Sequence, residues 1–461
     1  MLRLVYGSCL AASLAAASLS CQAETTAQAM PETMQMLKTA IEIPTEEGKA
    51  QVPVLARYLA QQLESAGFAA SDIQIIPIGE TAALVARYHG KGHGKPILLS
   101  AHMDVVTARP ADWVRDPFKL TEENGYLYGR GTADMKTSLV TLVETLMRLK
   151  REGFVPARDL ILVASGDEET AMATTRELAS RYHDAAFLLN GDSGGGVYGA
   201  DGKPLAYEIQ AAEKSYADFL LTVTSAGGHS SEPTPDNAIY NLATALKHIQ
   251  GYAFPVESSS ITRTSLKALG ARTPGPLGEA MKQFAAHPDD AAAAATLSAD
   301  RAYVGKIRTT CVATELNGGH ALNALPQRAT ANINCRIFPG ESIASVQATL
   351  TRVINDPKVS ISIQPPTPVE SPASPIPAKV MNAVAATLHQ RFPGLEVIPG
   401  MDAGASDSMY FRRAGVPCFG VNPLFAKAGD SFAHGLNEKL LASEVPGALD
   451  FWHGVLTRLA R

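Results

Sequence analysis

A short acidic run, Asp167–Glu169, directly follows an apolar segment (DLILVAS, residues 159–165) that is typical of a buried strand. Three adjacent carboxylates at the end of a core strand need a positive charge nearby, because unpaired buried anions are strongly unfavourable. A bound metal ion can supply that charge, and a carboxylate beside it can move protons. The run therefore suggests metal-assisted chemistry.

Other side chains that bind metals lie near further strand ends. His102 and Asp104 are two residues apart in the strand-like segment PILLSAHMDVV, a spacing that points both side chains to one face. An aspartate beside a histidine ligand commonly fixes the imidazole tautomer. Asp134 precedes a predicted helix in a glycine-rich turn, Asp192 follows AAFLLNG, and His434 lies in SFAHGLNE. Because ligands bind where the strands of α/β sheets meet loops, these residues can share one site.

Two imidazoles and three carboxylates suit two zinc ions, since nitrogen and oxygen atoms are common zinc ligands. The predicted ligands are His102, Asp134, Glu169, Asp192 and His434. Two Zn²⁺ ions carry four positive charges, which three carboxylates and one bridging hydroxide balance. One carboxylate, most simply Asp134, must then bridge the ions. Mn²⁺ or Co²⁺ can also occupy such an oxygen-rich site.

The two glutamates of the acidic run take different roles in this hypothesis. Glu169 binds metal, whereas Glu168 stays outside the ligand set and suits a general base that acts on metal-bound water. Asp167 is expected to hydrogen-bond the turn. Each residue also has an ordinary interpretation, since a lone histidine is more often a core residue and an acidic pair is more often a solvated turn or a helix cap.

Helical and strand-like segments alternate up to residue 213 and again from residue 369, which predicts an α/β sandwich with a mostly parallel sheet. Between them, residues 214–368 show the order β-α-β-β-α-β of a ferredoxin-like unit, with an alanine-rich insertion over residues 251–304. We therefore predict a catalytic domain, residues 24–213 and 369–461, that is interrupted by a smaller domain.

Composition and the N-terminus limit the class of protein and its compartment. The net charge of −5 and the lack of a basic stripe argue against a nucleic-acid partner. Residues 1–23 have the pattern of a secretory signal peptide, with Arg3, an apolar run and small residues near Ala23. We expect export as a soluble periplasmic or secreted protein. A lipid anchor at Cys21 and an uncleaved membrane anchor are the alternatives.

Two cysteines lie in strand-like segments of the smaller domain, Cys311 in TTCVATEL and Cys335 in TANINCRIF. If these segments form a hairpin, the two side chains can lie opposite each other and form a disulfide in an oxidising compartment. Alternatively, both are small buried hydrophobic residues.

Several segments occur together in the order used by a known family. The chain resembles the di-zinc metallopeptidases, which include glutamate carboxypeptidase, aminoacylase, succinyl-diaminopimelate desuccinylase and carnosinase. The resemblance rests on SAHMDVV, YGRGTADMK, GDEET, GGHSSEP and HGLNE, with an asparagine and arginine strand pair before the last of these. Residues 308–340 and the SPASP segment are most similar to the branch of carboxypeptidase S and the secreted N-acyl amino acid hydrolases.

The resemblance implies the same roles as the residue chemistry. It assigns one zinc ion to His102 and Asp192 and the other to Glu169 and His434, with Asp134 as the bridge. It also implies that Asp104 orients His102 and that Glu168 is the general base.

The resemblance further implies residues that spacing does not identify. His229, in GGHSS, resembles the histidine of the inserted domain that stabilises the oxyanion, often in the catalytic centre of the partner subunit. Asn323 and Arg336 resemble residues that bind the substrate's free carboxylate, a task that suits the arginine fork. Gly404, in DAGASDS, resembles the glycine that lines the substrate pocket. The smaller domain resembles a lid or dimerisation module, which favours a homodimer.

We therefore expect an exported zinc-dependent hydrolase that cleaves the amide bond next to a C-terminal, carboxylate-bearing residue. It would act as a carboxypeptidase or an N-acyl amino acid amidohydrolase, on peptide or N-acyl amino acid substrates. An aminopeptidase or dipeptidase, which reads a free amino group, is the alternative among enzymes. An inactive binding protein is the alternative outside enzymes, but it would lack a ligand or the base, and this sequence contains them all.

Overall fold

The computed structural model describes residues 24–199, 201–365, 367–427, 430 and 432–461. The predicted signal peptide, residues 1–23, lies outside the described residues. None of the helices in the described part of the chain combines the length and the apolar character that a membrane span requires.

Helices and strands alternate along most of the chain. The helices are α1 (Thr26–Glu42), α2 (Val52–Ser65), α3 (Lys136–Arg151), α4 (Ala173–Arg181), α5 (Ala238–Gly251), α6 (Ser260–Gly270), α7 (Pro276–Ala286), α8 (Ala291–Ala299), α9 (Ile343–Ile354), α10 (Ala378–Arg391), α11 (Ser408–Arg413) and α12 (Glu444–Leu459). The strands are β1 (Ile73–Ile78), β2 (Thr81–Tyr88), β3 (Ile97–His102), β4 (Thr121–Glu123), β5 (Tyr126–Tyr128), β6 (Leu160–Ser165), β7 (Phe187–Asn190), β8 (Gly195–Tyr198), β9 (Pro204–Glu213), β10 (Ser215–Thr224), β11 (Gly228–His229), β12 (Thr310–Gly318), β13 (Ala324–Leu325), β14 (Arg328–Ile337), β15 (Val359–Ile363), β16 (Val397–Asp402), β17 (Cys418–Gly420), β18 (Phe425–Lys427) and β19 (Lys439–Leu441).

The large sheet has the strand order β1-β2-β6-β3-β7-β17-β9-β8-β18, with β16 also paired to β9. Its central strands β6, β3, β7 and β17 are parallel, whereas β1, β2 and β8 run antiparallel to neighbours. Strands β3 and β6 are buried along their whole length, as expected for the continuous apolar runs of a sheet that is covered on both faces. The predicted α/β sandwich is confirmed, with its parallel strands at the centre.

Helices cover both faces of this sheet. Side chains of α1, α2, α3, α10 and α12 form one core with it, and α4 and α11 pack on the opposite face. Helix α3 is buried over most of its length because it packs between the sheet, α1 and α12. The turn that carries Asp134 directly precedes this helix, so the helix fixes its position.

The smaller domain has the predicted β-α-β-β-α-β order, formed by β10, α5, β12, β14, α9 and β15. Its antiparallel sheet has the order β12-β14-β10-β15. Along β14, alternate residues such as Ile333 and Cys335 are buried against α5 and α9, whereas Asn334 and Arg336 lie on the opposite, partly exposed face. The period of two in the sequence therefore separates a core face from a polar face.

The alanine-rich insertion forms α6, α7 and α8, which share a small core of their own. Helix α6 also packs on the large sheet, where Ala268 contacts Ala206 of β9 and Ile398 of β16. An ion pair between Arg272 and Glu396 (2.6 Å) supports this contact. The insertion therefore links the smaller domain to the large sheet.

Cys311 and Cys335 are direct partners in the antiparallel pair of β12 and β14, and they form a disulfide. The hairpin alternative of the sequence analysis is therefore correct. Cys418 is a buried free thiol, as expected of a core cysteine.

Candidate active site

The five predicted metal ligands meet at one edge of the large sheet. His102 is the last residue of β3, Glu169 follows β6, and Asp192 follows β7. These three strands are parallel neighbours, so their carboxyl ends bring the side chains together. Asp134 reaches the edge from the turn before α3, and His434 from the loop before β19. We call these five residues the sheet-edge cluster.

Asp134 occupies the centre of the sheet-edge cluster. Its Oδ1 lies 3.1 Å from Nε2 of His102, and its Oδ2 lies 3.2 Å from Nε2 of His434. Asp192 Oδ1 lies 3.6 Å from the same nitrogen of His102, and Glu169 Oε2 lies 3.0 Å from that of His434. Two groups of ligand atoms, each within 4.8 Å, thus share Asp134. Asp134 therefore belongs to both groups of potential metal ligands.

The turn before α3 and the loop of His434 are held by a buried ion pair that sequence reasoning missed. Glu438 accepts hydrogen bonds from the main-chain N–H groups of Ala133 (2.7 Å) and Asp134 (3.0 Å). Arg130 pairs with Glu438 (2.7 Å) and donates to the main-chain oxygen of Gly435 (3.1 Å). The pair therefore fixes two ligand-bearing segments that are about 300 residues apart in sequence.

Asp104 differs in detail from the sequence prediction. Strand β3 ends at His102, so Asp104 lies in the following loop and not on the strand. Its main-chain oxygen, 3.0 Å from Nδ1 of His102, accepts the ring proton and leaves Nε2 available as a ligand. Its carboxylate is 3.6 Å from the ring and accepts the N–H groups of Glu168 (3.1 Å) and Glu169 (3.0 Å). Asp104 thus contacts both the imidazole and the acidic run.

The three carboxylates of the acidic run are separated by their partners. Asp167 accepts the main-chain N–H groups of Ala173 (2.7 Å) and Thr174 (2.9 Å) at the start of α4, so its predicted role in the turn is confirmed. Glu168 is only 8% exposed, and this burial raises its pKa well above the usual value. It also lies within ligand distance of His102 and Glu169. Geometry therefore allows either glutamate to bind metal.

The charges at this edge do not balance. Five carboxylates, those of the sheet-edge cluster with Asp104 and Glu168, lie beside two imidazoles. Burial raises the pKa of Asp192 to about 6. Hydrogen bonds to Asp134 and Glu169 raise the pKa of His434 to about 10. Divalent cations would neutralise this excess of negative charge, and the nitrogen and oxygen donors fit zinc, manganese or cobalt.

A cavity of about 380 Å³ opens beside the sheet-edge cluster. Arg336 and Tyr216 of the smaller domain line it, with the guanidinium 4.6 Å from the centre of the Tyr216 ring. Gly404 lines it as well. Met172 and Met409 form an apolar region of the cavity wall. The two domains therefore form one cleft, with the sheet-edge cluster on one side and an arginine on the other.

Two of the predicted residues lie elsewhere. Strands β11 and β13 form a two-stranded ribbon in which His229 pairs with Ala324. Ser230 N–H donates to the main-chain oxygen of Asn323 (3.0 Å), so His229 and Asn323 are neighbours. Both are exposed, and neither lines the cavity. Within the described chain, the structure therefore does not bring the ribbon to the sheet-edge cluster.

Three comparisons with known proteins agree with one another. The sequence profile described as "Peptidase family M20/M25/M40" matches residues 98–458. Probable carboxypeptidase S-like 2 of Dictyostelium discoideum is 30% identical over 379 residues, which cover 78% of this chain and 71% of that protein. The N-fatty-acyl-amino acid synthase/hydrolase PM20D1 of Xenopus tropicalis is 28% identical over 440 residues, 91% of this chain and 84% of that protein.

Among solved structures, the M20 family metallo-carboxypeptidase Sso-CP2 from Sulfolobus solfataricus has a similar fold. Its TM-score with this chain is 0.71 at 18% sequence identity, and the match covers 92% of this chain and 98% of that one. This likeness extends over both domains.

Proposed function

The chain belongs to peptidase family M20/M25/M40, a metal-dependent family, and we propose that it hydrolyses the amide bond next to a C-terminal residue with a free carboxylate. As a member of this family it is a metallo-exopeptidase or amidohydrolase. The observation that carries the finer proposal is the position of Arg336, which lines the same cavity as the sheet-edge cluster. An arginine fork opposite a metal site suits a substrate that carries a carboxylate near the bond to be cleaved.

The sheet-edge cluster would hold two divalent ions, with zinc as the first choice. His102 and Asp192 would bind one ion, Glu169 and His434 the other, and Asp134 both. Such ions supply Lewis-acid polarisation of the scissile carbonyl and lower the pKa of water.

Glu168 would act as general base and then as general acid. It would take a proton from the attacking water and return it to the leaving amine, which restores the carboxylate for the next cycle. Its burial next to Glu169 favours proton uptake, because the neutral acid is easier to accommodate there than the anion. The Asp104 carboxylate, which accepts the N–H groups of both glutamates, would hold their main chain in a fixed position.

The ribbon would contribute to catalysis from a second copy of the chain. Nδ1 of His229 contacts the main-chain N–H (3.2 Å) and the hydroxyl (2.7 Å) of Ser231, so Nε2 would be the ring nitrogen that donates to an oxyanion. Strand β12 is an edge of the small sheet and exposes Val312 and Leu316. An exposed apolar edge strand next to the ribbon suits pairing between two small domains. In such a homodimer, His229 and Asn323 of the partner subunit would complete the cleft.

Export remains part of the proposal. A disulfide between Cys311 and Cys335 is typical of proteins that fold in an oxidising compartment, which fits the signal-peptide pattern of residues 1–23. The proposal is a soluble periplasmic or secreted enzyme.

The test is a cleavage survey with zinc-loaded protein. N-acyl amino acids and N-blocked dipeptides would be offered as free acids and as C-terminal amides, beside unblocked dipeptides, with a chelator control and detection by mass spectrometry. We expect cleavage of the free acids only, with a blocked amine tolerated. Cleavage restricted to unblocked substrates would favour an aminopeptidase or dipeptidase and contradict the role of Arg336.

A further inference from the structure

A buried carboxylate lies at the junction between the large and the small sheet. Glu213 is the last residue of β9, and β10 begins at Ser215, so the chain changes sheets across the single residue Lys214. The side chain of Glu213 is fully buried, and its Oε1 lies 2.6 Å from Nη1 of Arg412 in α11. The ion pair therefore fixes the first crossing between the domains against α11.

The same carboxylate holds the return crossing. Ser371 lies in the linker between β15 and α10, and its hydroxyl donates to Glu213 Oε1 (3.0 Å). Its main-chain N–H donates to the hydroxyl of Ser215 (3.1 Å). The segments that enter and leave the smaller domain are thus tied together around Glu213.

The other oxygen of Glu213 is connected to the sheet-edge cluster. Ser406 donates its hydroxyl to Glu213 Oε2 (2.8 Å), and the same hydroxyl accepts from Nδ2 of Asn190 (3.3 Å). Asn190 Nδ2 also donates to the hydroxyl of Ser408 (3.1 Å), but only Ser406 connects Asn190 directly to Glu213. Asn190 Oδ1 in turn accepts the main-chain N–H of Asp192 (3.0 Å). A continuous chain of hydrogen bonds therefore runs from the domain junction to a residue of the cluster.

Ser406 also lies beside the wall of the cavity. Its loop, between β16 and α11, carries Gly404 and Ala405, both of which line the cavity. The next residue, Asp407, accepts the hydroxyl of Ser165 at the end of β6 (2.6 Å). A change in the position of Ser406 would therefore act on the cavity wall and on Asp192 together.

We propose that Ser406 is a positioning residue, which fixes the Asp192 ligand relative to the domain junction through Asn190 on one side and Glu213 on the other. The inference rests on the proposed metal site of His102 and Asp192. Hydrogen bonds behind a metal ligand orient it, and removing one commonly weakens metal binding by about 10- to 100-fold.

The experiment compares Ser406→Ala with Ser371→Ala. Both serines are 2% exposed and both donate to the carboxylate of Glu213, but only Ser406 is hydrogen-bonded to Asn190. Zinc affinity would be measured by competition with a chromogenic chelator, and the unfolding temperature of the metal-free proteins by circular dichroism. We expect Ser406→Ala to weaken one of two zinc sites by at least about tenfold. Ser371→Ala should change neither site by more than about twofold, because the Ser371 hydroxyl contacts Glu213 and not Asn190, the residue that binds Asp192.

Two further variants make the result decisive. In a His434→Ala background, which leaves the site of His102 and Asp192, the loss caused by Ser406→Ala must persist. Glu213→Gln, which removes the charge that accepts the Ser406 hydroxyl, should weaken the same site. Equal zinc affinities in Ser406→Ala and Ser371→Ala would overturn the inference. The proposed function would still stand in that case, provided that the wild-type protein cleaves the expected substrates. A wild-type protein that binds no second ion, or cleaves nothing, would refute the proposed function itself.

Discussion

The sheet-edge cluster and the ribbon both carry residues that the sequence analysis predicted to act in catalysis, but the structure places them in separate regions of the described chain. The five residues of the cluster converge with nitrogen–oxygen distances of 3.0 to 3.6 Å, because three of them lie at the carboxyl ends of adjacent parallel strands. His229 and Asn323 are neighbours of each other in the exposed ribbon, away from the cavity. The cluster is assembled by one chain, whereas the ribbon contributes no residue to the cavity of the described chain.

The difference shows what each region depends on. The cluster depends on the order of strands in one buried sheet and on ion pairs such as Arg130–Glu438. The ribbon consists of two short strands, of which β11 is exposed and β13 is partly buried, and Leu322 beside it is fully exposed. Substitutions in the cluster should therefore act within a single chain, and substitutions in the ribbon should act between chains.

The largest effect is expected at the bridge of the cluster. Asp134→Asn removes the negative charge shared by both proposed sites, so we expect loss of bound metal and a fall in kcat of at least about 10³-fold, since metal polarisation contributes several kcal/mol. Metal content by mass spectrometry and kcat on an N-acyl amino acid check this. Asp289→Asn, an exposed position, is the matched control. Full metal occupancy in Asp134→Asn would contradict the bridging role.

Much of the cluster could be predicted from sequence because each member lies at a strand end or in a turn that local patterns reveal. The continuous apolar run before Glu168 and the glycine-rich turn before α3 are examples. The exact end of β3 was not predictable, and the expectation that Asp104 lies on the strand is wrong. Beyond the strand, the carboxylate of Asp104 accepts the N–H groups of the acidic run, a contact across 64 residues that no local pattern signals.

The supporting residues could not be predicted at all. Glu438 binds the turn of Asp134 from 304 residues away, and Ser406 reaches Glu213 across 193 residues. Such pairs depend on the path of the chain between sheets, and no local spacing signals them. The position of the ribbon away from the cavity is likewise a consequence of long-range folding that the GGHSS motif does not reveal.

The next largest effect is expected at Arg336, which lines the cavity from the side of the smaller domain. Arg336→Ala should lower kcat/KM on free-acid substrates by about 30- to 1,000-fold, the cost of removing one partner of a desolvated charge pair. C-terminal amides should show no comparable loss. Arg328→Ala, on the exposed end of the same strand, is the matched control. Equal losses of kcat/KM on free acids and on amides would show that Arg336 does not bind the substrate carboxylate.

A mixing experiment tests the ribbon. His229→Ala alone should lower kcat by about 10²-fold, as expected for the loss of one oxyanion donor. If the ribbon acts between chains, refolding the His229→Ala protein together with the Glu168→Gln protein should restore about a quarter of wild-type activity. Half of the randomly formed dimers would then contain one of each variant, and one of the two centres in each such dimer would be intact. No recovery in the mixture would place His229 in the centre of its own chain.

The smallest effect on activity is expected at the disulfide behind Arg336. Cys311 and Cys335 close a loop with a sequence separation of 24 residues, so replacing both with serine should lower the free energy of unfolding by about 3 kcal/mol. The side chain of Cys335 faces the core and not the cleft, so kcat should stay near the wild-type value. Urea denaturation with and without reductant checks this, and the variant should not respond to reductant.

The most direct test compares Glu168→Gln with Glu169→Gln, since both glutamates lie within ligand distance of His102. Bound zinc per chain and kcat would be measured on the same samples. We expect Glu168→Gln to keep two zinc ions and to lose turnover by about 10²- to 10⁴-fold, and Glu169→Gln to lose one ion. Loss of zinc from Glu168→Gln, with full occupancy in Glu169→Gln, would contradict the division of roles on which the mechanism depends.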